Sequence, residues 1–163
     1  MTPITHKKVV LFDWGNTLMV DIPDMEGKMC NWPRVELVDG AYETLKALSK
    51  YSKIYVATNA ADSSEEDIKS AFERGNLAQF IEGYLCFGNL GVRKGNRSFY
   101  DKIMTLLAIS ADDVAMVGDN FENDILPASS AEIDAYWLTT LAKQDLPDNV
   151  KVIRQLADLS KAP

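Results

Sequence analysis

The chain is poor in the residues that build soft-metal and disulfide sites. Among its 163 residues there is one histidine, His6, and two cysteines, Cys30 and Cys86, far apart and in no zinc-ligand spacing. A zinc site is disfavoured, and two reduced cysteines fit a cytoplasmic protein. No apolar run is long enough to span a bilayer, and the polar stretch Met1 to Lys8 carries no signal-peptide core. We therefore expect a cytoplasmic chain with no membrane partner. Positive charge is also short: 17 Lys and Arg against 24 Asp and Glu leave a net charge of −7, which disfavours nucleic acid as a partner. Repeats, low-complexity segments and linkers are missing, and the length fits one domain over residues 1–163. An apolar fraction of 47% is enough for a core without staples.

What the chain does have is a series of short apolar runs, each ending at polar or turn-forming residues. Val9 to Phe12 ends at Asp13, Ile54 to Ala57 at Thr58-Asn59, and Tyr84 to Phe87 at Gly88-Asn89. Val114 to Val117 ends at Gly118-Asp119-Asn120, and Ala135 to Leu138 at Thr139-Thr140. Such runs read as buried strands. Helix-period stretches alternate with them. Tyr42, Leu45, Leu48 and Tyr51 mark the first, after Asp39-Gly40. Ser63-Ser64-Glu65-Glu66 opens the second, with Ile68, Ala71 and Phe72 on its apolar face. Phe99, Ile103, Leu106 and Leu107 mark a third, and Ile125, Ala128 and Ala131 a fourth. A last helix is expected from Ile153 to Leu159. Residues 19–38, with Pro23, Gly27 and Pro33, read as a flap beside the end of the first strand. Alternating strands and helices predict an α/β fold with a parallel sheet, whose ligands bind at the carboxyl ends of the strands.

Those ends carry the chemistry. Asp13, Thr58 and Asn59, then Asp119 and Asp124 follow apolar runs, and Lys94 lies in the loop after Gly91. Three carboxylates on one edge repel unless a cation joins them. A divalent metal and one lysine would balance them, and hard oxygen ligands suit Mg²⁺. A balanced site of this kind can accept a phosphate, stabilised by Lys94, the metal and backbone N–H groups.

In order, these segments are Phe12-Asp13-Trp14-Gly15-Asn16-Thr17-Leu18, Val56-Ala57-Thr58-Asn59, Val92-Arg93-Lys94 and Val117-Gly118-Asp119-Asn120-Phe121-Glu122-Asn123-Asp124. The chain thereby resembles the haloacid-dehalogenase-like hydrolases, whose four motifs these match in order. The resemblance implies a three-layer, doubly wound parallel sheet and an Mg²⁺-dependent phosphohydrolase or phosphotransferase. It implies that Asp13 attacks phosphorus and forms an aspartyl-phosphate. Thr58 and the N–H of Asn59 would hold phosphate oxygens, and Lys94 would steady the nucleophile and the phosphoryl group. Asp13, Asp119, Asp124 and the carbonyl of Gly15 would hold the metal.

One position departs from the family pattern. A second aspartate usually stands two residues after the nucleophile and serves as general acid and base; here it is Gly15, followed by Asn16. General acid–base help is worth about 10²–10⁴-fold, so acyl or aryl phosphates and phosphotransfer fit better than plain alkyl esters. Asp21, Asp62 and Glu122 are candidates for a replacement acid by rough proximity. The stretches between the first three motifs leave no room for a large cap domain, so the chain resembles the capless branch. The crevice would be open to a phosphorylated small molecule or an exposed phosphorylated macromolecule, or covered by a second subunit. An alternative is a catalytically weak relative that binds a phosphorylated ligand or protein; Gly15 favours it, whereas the nucleophile, Lys94 and Asp119 favour the enzyme. A phospho-accepting signalling domain would carry its acidic pair before the accepting aspartate, not after it. His6 falls at the sheet's wrong end for chemistry. Trp14 either lines the site mouth or packs in the core, and Cys30 and Trp32 sit in the flap.

Overall fold

The computed structural model describes residues 3–60, 63–142 and 145–160. Six parallel strands form one sheet in the order β3-β2-β1-β4-β5-β6. They are β1 (Val9–Phe12), β2 (Lys53–Ala57), β3 (Ile81–Leu85), β4 (Val114–Gly118), β5 (Asp134–Leu138) and β6 (Val150–Ile153). The helices are α1 (Ala41–Leu48), α2 (Glu65–Arg74), the short α3 (Phe87–Leu90), α4 (Arg97–Leu107) and α5 (Leu126–Ser130). This is the three-layer α/β architecture expected from the sequence.

The apolar runs are continuous because the sheet is covered on both faces. Val10, Phe12, Ile54, Val56, Ala115 and Val117 pack with α1 and α2 on one side. Val9, Leu11, Val114 and Met116 alternate with them and pack with α4 and α5 on the other. Central β1 pairs Phe12 with Val56 of β2 and with Val117 of β4. The chain winds outward from β1 in both directions, so the crevice beyond Phe12 is a topological switch point. At α2, Ser64 Oγ accepts from Asp67 N at 3.2 Å while Asp67 Oδ2 accepts from Ser64 N at 3.0 Å, a capping box where the sequence predicts a helix start.

Several expectations need correction. The strand expected at Tyr84 to Phe87 is Ile81–Leu85, and Phe87 begins α3. Glu82 and Gly83 hide its first half from an apolar-run reading. Gly83 is there because the Tyr55 ring lies against it: a Cβ at 83 would stand 3.0 Å from Tyr55 Cε2. The helix expected at Ile153 to Leu159 is instead edge strand β6 followed by a 3₁₀ turn over Leu156–Leu159. Along β6, Lys151 is exposed between partly buried Val150 and Val152, the half-solvated pattern of an edge strand. α1 stops at Leu48, which leaves Tyr51 outside it and exposed, and Leu106 of α4 also faces solvent. The fourth helix is two pieces, a π-helical turn over Phe121–Ile125 and α5.

The 19–38 segment is closely tied to the fold. Met19, Met29 and Trp32 are buried, and Met19 forms an antiparallel bridge with Leu37. Arg74 of α2 donates to the carbonyls of Met29 and Cys30 at 3.2 and 3.3 Å, and Lys28 pairs with Asp67 at 2.8 Å.

Candidate active site

Each site residue stands where a central strand ends. Asp13 follows β1, and its N–H still donates to Val117 O of β4 at 2.9 Å. Its carboxylate therefore starts from a fixed backbone point over the switch. Thr58 and Asn59 follow β2, and Asp119 follows β4. Lys94 comes from the loop between α3 and α4. Asp124 comes from the π-helical turn, a distortion frequent at functional sites.

Lys94 Nζ lies 2.7 Å from Asp13 Oδ1 and 2.8 Å from Asp124 Oδ1, with its side chain only 1% exposed. The two other basic residues nearby point elsewhere. Arg93 sits over the Phe87 ring at 4.7 Å, and Arg97 pairs with Asp101 on α4. The Lys94 N–H donates to Asn59 Oδ1 at 2.7 Å, so the Asn59 side chain positions the lysine's backbone. Thr58 Oγ1 accepts from Ala60 N at 3.2 Å, a bond that leaves its own proton to donate elsewhere. The Asp124 carboxylate is nearly fully buried and accepts from Asn120 N at 3.1 Å through Oδ2.

Asp13, Asp119 and Asp124 each bring an oxygen within 4.8 Å of the others. One ammonium cannot neutralise three carboxylates. Burial pulls Lys94 down, but Asp13 and Asp124 outweigh it and hold its pKa above the ordinary lysine value. The surplus negative charge then falls on the acids. Burial, with Asp13 and Asp124 as neighbours, pushes Asp119 up to about 7. Burial and Asp13 push Asp124 up to about 6 against the pull of Lys94. A cluster that holds protons this tightly is short of positive charge. Its donors are oxygens only, without histidine or cysteine, which suits a hard divalent cation. Asp13, Asp119 and Asp124 thus fit Mg²⁺, and Gly15 lines the same pocket.

The structure also brings in residues the sequence does not single out. Thr17 Oγ1 lies 3.1 Å from Asp13 Oδ2 and 3.3 Å from Asp119 Oδ1, and can donate to either. Trp137 Nε1 of β5 donates to Asp119 O at 3.1 Å, and Tyr100 OH of α4 contacts the carbonyls of Asn123 and Asp124. At Gly118 a Cβ would lie 2.3 Å from Asp124 Oδ2, so only glycine lets that carboxylate pack on the strand end. The Gly118-Asp119 pair is the one sequence signal for this.

Of the candidate replacement acids, Asp21 lines a cavity of about 280 Å³ together with Gly15 and Thr58. Glu122 lines neither this cavity nor the carboxylate pocket of about 250 Å³, and Asp62 lies outside the described residues. Trp14 and Trp32 both wall the 280 Å³ cavity and are buried, while Cys30 packs against the core. His6 stays in the 3₁₀ turn Ile4–His6, ahead of β1. Larger clefts of about 660 and 680 Å³ run beside Lys8 and Tyr51 and beside His6, but neither gathers a carboxylate cluster, so chemistry rather than size selects the site. Among the described residues no helix is long and apolar enough to cross a membrane.

Comparison with known proteins finds relatives of the same fold. The chain is 24% identical over 127 residues to YfnB of Bacillus subtilis (strain 168), described as a HAD-hydrolase; the match covers 76% of this chain and 53% of that one. The chain thus spans about half the length of the curated relative it matches. The crystal structure of YfnB, bound to magnesium, superposes with a TM-score of 0.74 at 15% identity, covering 94% of this chain and 97% of that one. An uncharacterised protein from Listeria monocytogenes serotype 4b superposes with a TM-score of 0.81 at 26% identity, covering 94% of both chains. A HAD phosphatase from Thermococcus onnurineus reaches 0.74 at 15% identity, covering 93% of this chain and 95% of that one. A family model described as haloacid dehalogenase-like hydrolase matches residues 30–132. By that match the chain belongs to the haloacid dehalogenase-like hydrolases.

Proposed function

We propose that this hydrolase is an Mg²⁺-dependent phosphohydrolase that acts through an aspartyl-phosphate on Asp13. The observation that carries the reading is Lys94, buried and ion-paired at once to Asp13 and Asp124. A lysine that only stabilised the fold would not need to bridge two carboxylates of a cluster of three. The magnesium-bound structure of YfnB and the Thermococcus phosphatase support the same reading by analogy of fold.

Asp13 is the attacking carboxylate, held at Oδ1 by Lys94 Nζ and approached at Oδ2 by Thr17 Oγ1. It forms a bond to phosphorus as the bond to the leaving oxygen breaks. Thr58 Oγ1 and the N–H of Asn59 hold the phosphoryl oxygens, and Lys94 Nζ offsets the charge that gathers on them. Asp13, Asp119, Asp124 and the Gly15 carbonyl would hold Mg²⁺, which supplies charge for the phosphate and aligns it with Asp13. Water then attacks the phosphorus, the bond to Asp13 breaks, and phosphate leaves. Gly15 offers no proton to the leaving oxygen, so acyl and aryl phosphates react faster than alkyl phosphates.

The test uses acetyl phosphate and p-nitrophenyl phosphate, with Mg²⁺ and with EDTA, beside Asp13→Asn. Turnover that requires both Mg²⁺ and Asp13, faster on acetyl phosphate, is the expected result. A folded protein that binds Mg²⁺ yet turns over neither substrate would favour the second reading, a binder of phosphorylated ligands, for which Gly15 is the supporting observation.

A further inference from the structure

Cleaving a phosphate ester leaves an oxygen that must take a proton unless it is a stable anion. The attack of water on an acyl phosphate likewise needs a proton acceptor. Asp13, Asp119 and Asp124 are committed to Lys94, Thr17 and Asn120 N. Two adjoining cavities share Gly15, Thr58 and Ala60: the carboxylate pocket of about 250 Å³ and the neighbouring one of about 280 Å³. Among the described residues lining the two, one further carboxylate is present, Asp21.

Its placement is built by the two residues after Trp14. A Cβ added to Gly15 would meet a single neighbour, Asp21 Cβ at 3.8 Å. Asp21 therefore stands beside the space that a side chain at 15 would fill. Asn16, at φ 61°, turns its side chain so that Oδ1 accepts from Asp21 N at 2.9 Å and fixes the start of the loop. Trp32 and Trp14 also line the cavity. The cavity thus offers a leaving group apolar rings and one carboxyl group.

We propose that Asp21 is the catalytic acid and base of this chain, acting on a leaving group seated in the Trp14–Trp32 cavity. This rests on the phosphohydrolase reading above. In the first step Asp13 bonds to phosphorus, the phosphorus–oxygen bond of the ester breaks with its electron pair on the leaving oxygen, and Asp21 gives that oxygen its proton. In the second, Asp21 takes a proton from water as the water oxygen bonds to phosphorus. The bond to Asp13 breaks, the pair returns to the Asp13 carboxylate, and inorganic phosphate leaves with Asp21 again protonated. Asp21 is exposed and sits on a loop, so its help is modest and the preference for good leaving groups remains.

Rapid-mixing kinetics on Asp21→Asn tests this, with p-nitrophenyl phosphate, whose leaving group needs no proton, against phenyl phosphate, whose leaving group does. The exposed position makes the isosteric variant safe for folding. The expected result is a stoichiometric burst of p-nitrophenolate followed by slowed turnover, and no burst of phenol, with the phenyl phosphate rate down about 10²-fold, the low end of acid–base help. Gly15→Asp in the Asp21→Asn background should restore the phenol burst. Asp13-dependent turnover that is indifferent to Asp21→Asn on both substrates overturns the assignment to Asp21 alone. Wild-type protein without Asp13-dependent turnover of either substrate overturns the phosphohydrolase reading, and Asp21 with it.

Discussion

Among the described residues two lysines are buried, at opposite edges of the same sheet, and they are treated differently. Lys7, just before β1, pairs with Asp134 at the start of β5 at 3.0 Å and donates to Asp112 O at 2.8 Å. That is one cation for one carboxylate, with a carbonyl taking a remaining proton. Lys94, at the other edge, pairs with Asp13 and Asp124, and Asp119 brings a third carboxylate within 4.8 Å of both. The balanced pair ties the amino-terminal ends of β1, β4 and β5 together. The unbalanced cluster leaves a deficit of positive charge that the fold does not fill. Buried ion pairs add little stability but are costly to break, so the first arrangement serves the fold and the second leaves room for a cation and a phosphate.

Exchanging each lysine for methionine separates the two roles, and gives the largest effects. Lys94→Met should reduce the proposed phosphatase turnover to background, because no other basic side chain among the described residues lines the pocket. Lys7→Met should keep turnover per folded molecule near wild type while lowering unfolding stability by about 3 kcal/mol, the lower end for a buried pair stripped of one partner. Urea titration read beside activity would break the comparison if Lys7→Met lost turnover without losing stability.

Magnesium should act on one edge only. At a hundredfold excess over its dissociation constant it should stabilise the wild type and Lys7→Met alike, by about 2.7 kcal/mol. Asp119→Ala should lose most of that gain. An equal gain in Asp119→Ala would mean the ion binds elsewhere.

The pH dependence sharpens the same contrast. Asp119 and Asp124 are raised to about 7 and about 6 from an ordinary 3.8. A carboxyl with a raised pKa holds its proton in the folded state when the unfolded chain has lost it. Its contribution is therefore present below about pH 4 and fades as pH rises through 6 to 7. In EDTA, the urea midpoint should fall between pH 4.5 and 7.5, and Mg²⁺ should flatten or reverse that slope. Lys94 does not interfere, since its raised pKa puts its titration above this window. A metal-free midpoint that rises across the range would show that the cluster does not carry surplus charge.

The membership of the site is legible in the sequence because a parallel sheet delivers the end of every strand to one edge. Asp13, Thr58, Asn59 and Asp119 each follow an apolar run, and no side-chain detail is needed to gather them. Lys94 is legible only as one of three neighbouring basic residues, and its burial separates it from Arg93 and Arg97. What periodicity does not reveal are contacts made by turns and across the sheet. Trp137 reads as an ordinary strand residue, yet its indole holds the backbone of Asp119. Strand β6 is hidden because an edge strand needs no continuous apolar run, and the start of β3 because Tyr55 claims the space above Gly83.

Thr17 is the residue where turn geometry matters most, and it sets the smallest effect. Leu18 N and Met19 N both donate to Trp14 O, and Asn16 N donates to Met19 O at 2.7 Å, closing a tight loop after Asp13. That loop turns the Thr17 hydroxyl inward between two carboxylates, where its single proton can serve one at a time. A hydrogen bond to a charged group is worth about 1.5–3 kcal/mol, and at 3.1 and 3.3 Å the lower figure applies. Thr17→Val keeps the shape and removes the donor, so turnover should fall about tenfold. Thr17→Ser should stay near wild type, because the donor and not the methyl group faces Asp13. If the serine variant falls as far as the valine one, the methyl group's packing orients Asp13, and the hydroxyl between the carboxylates is incidental.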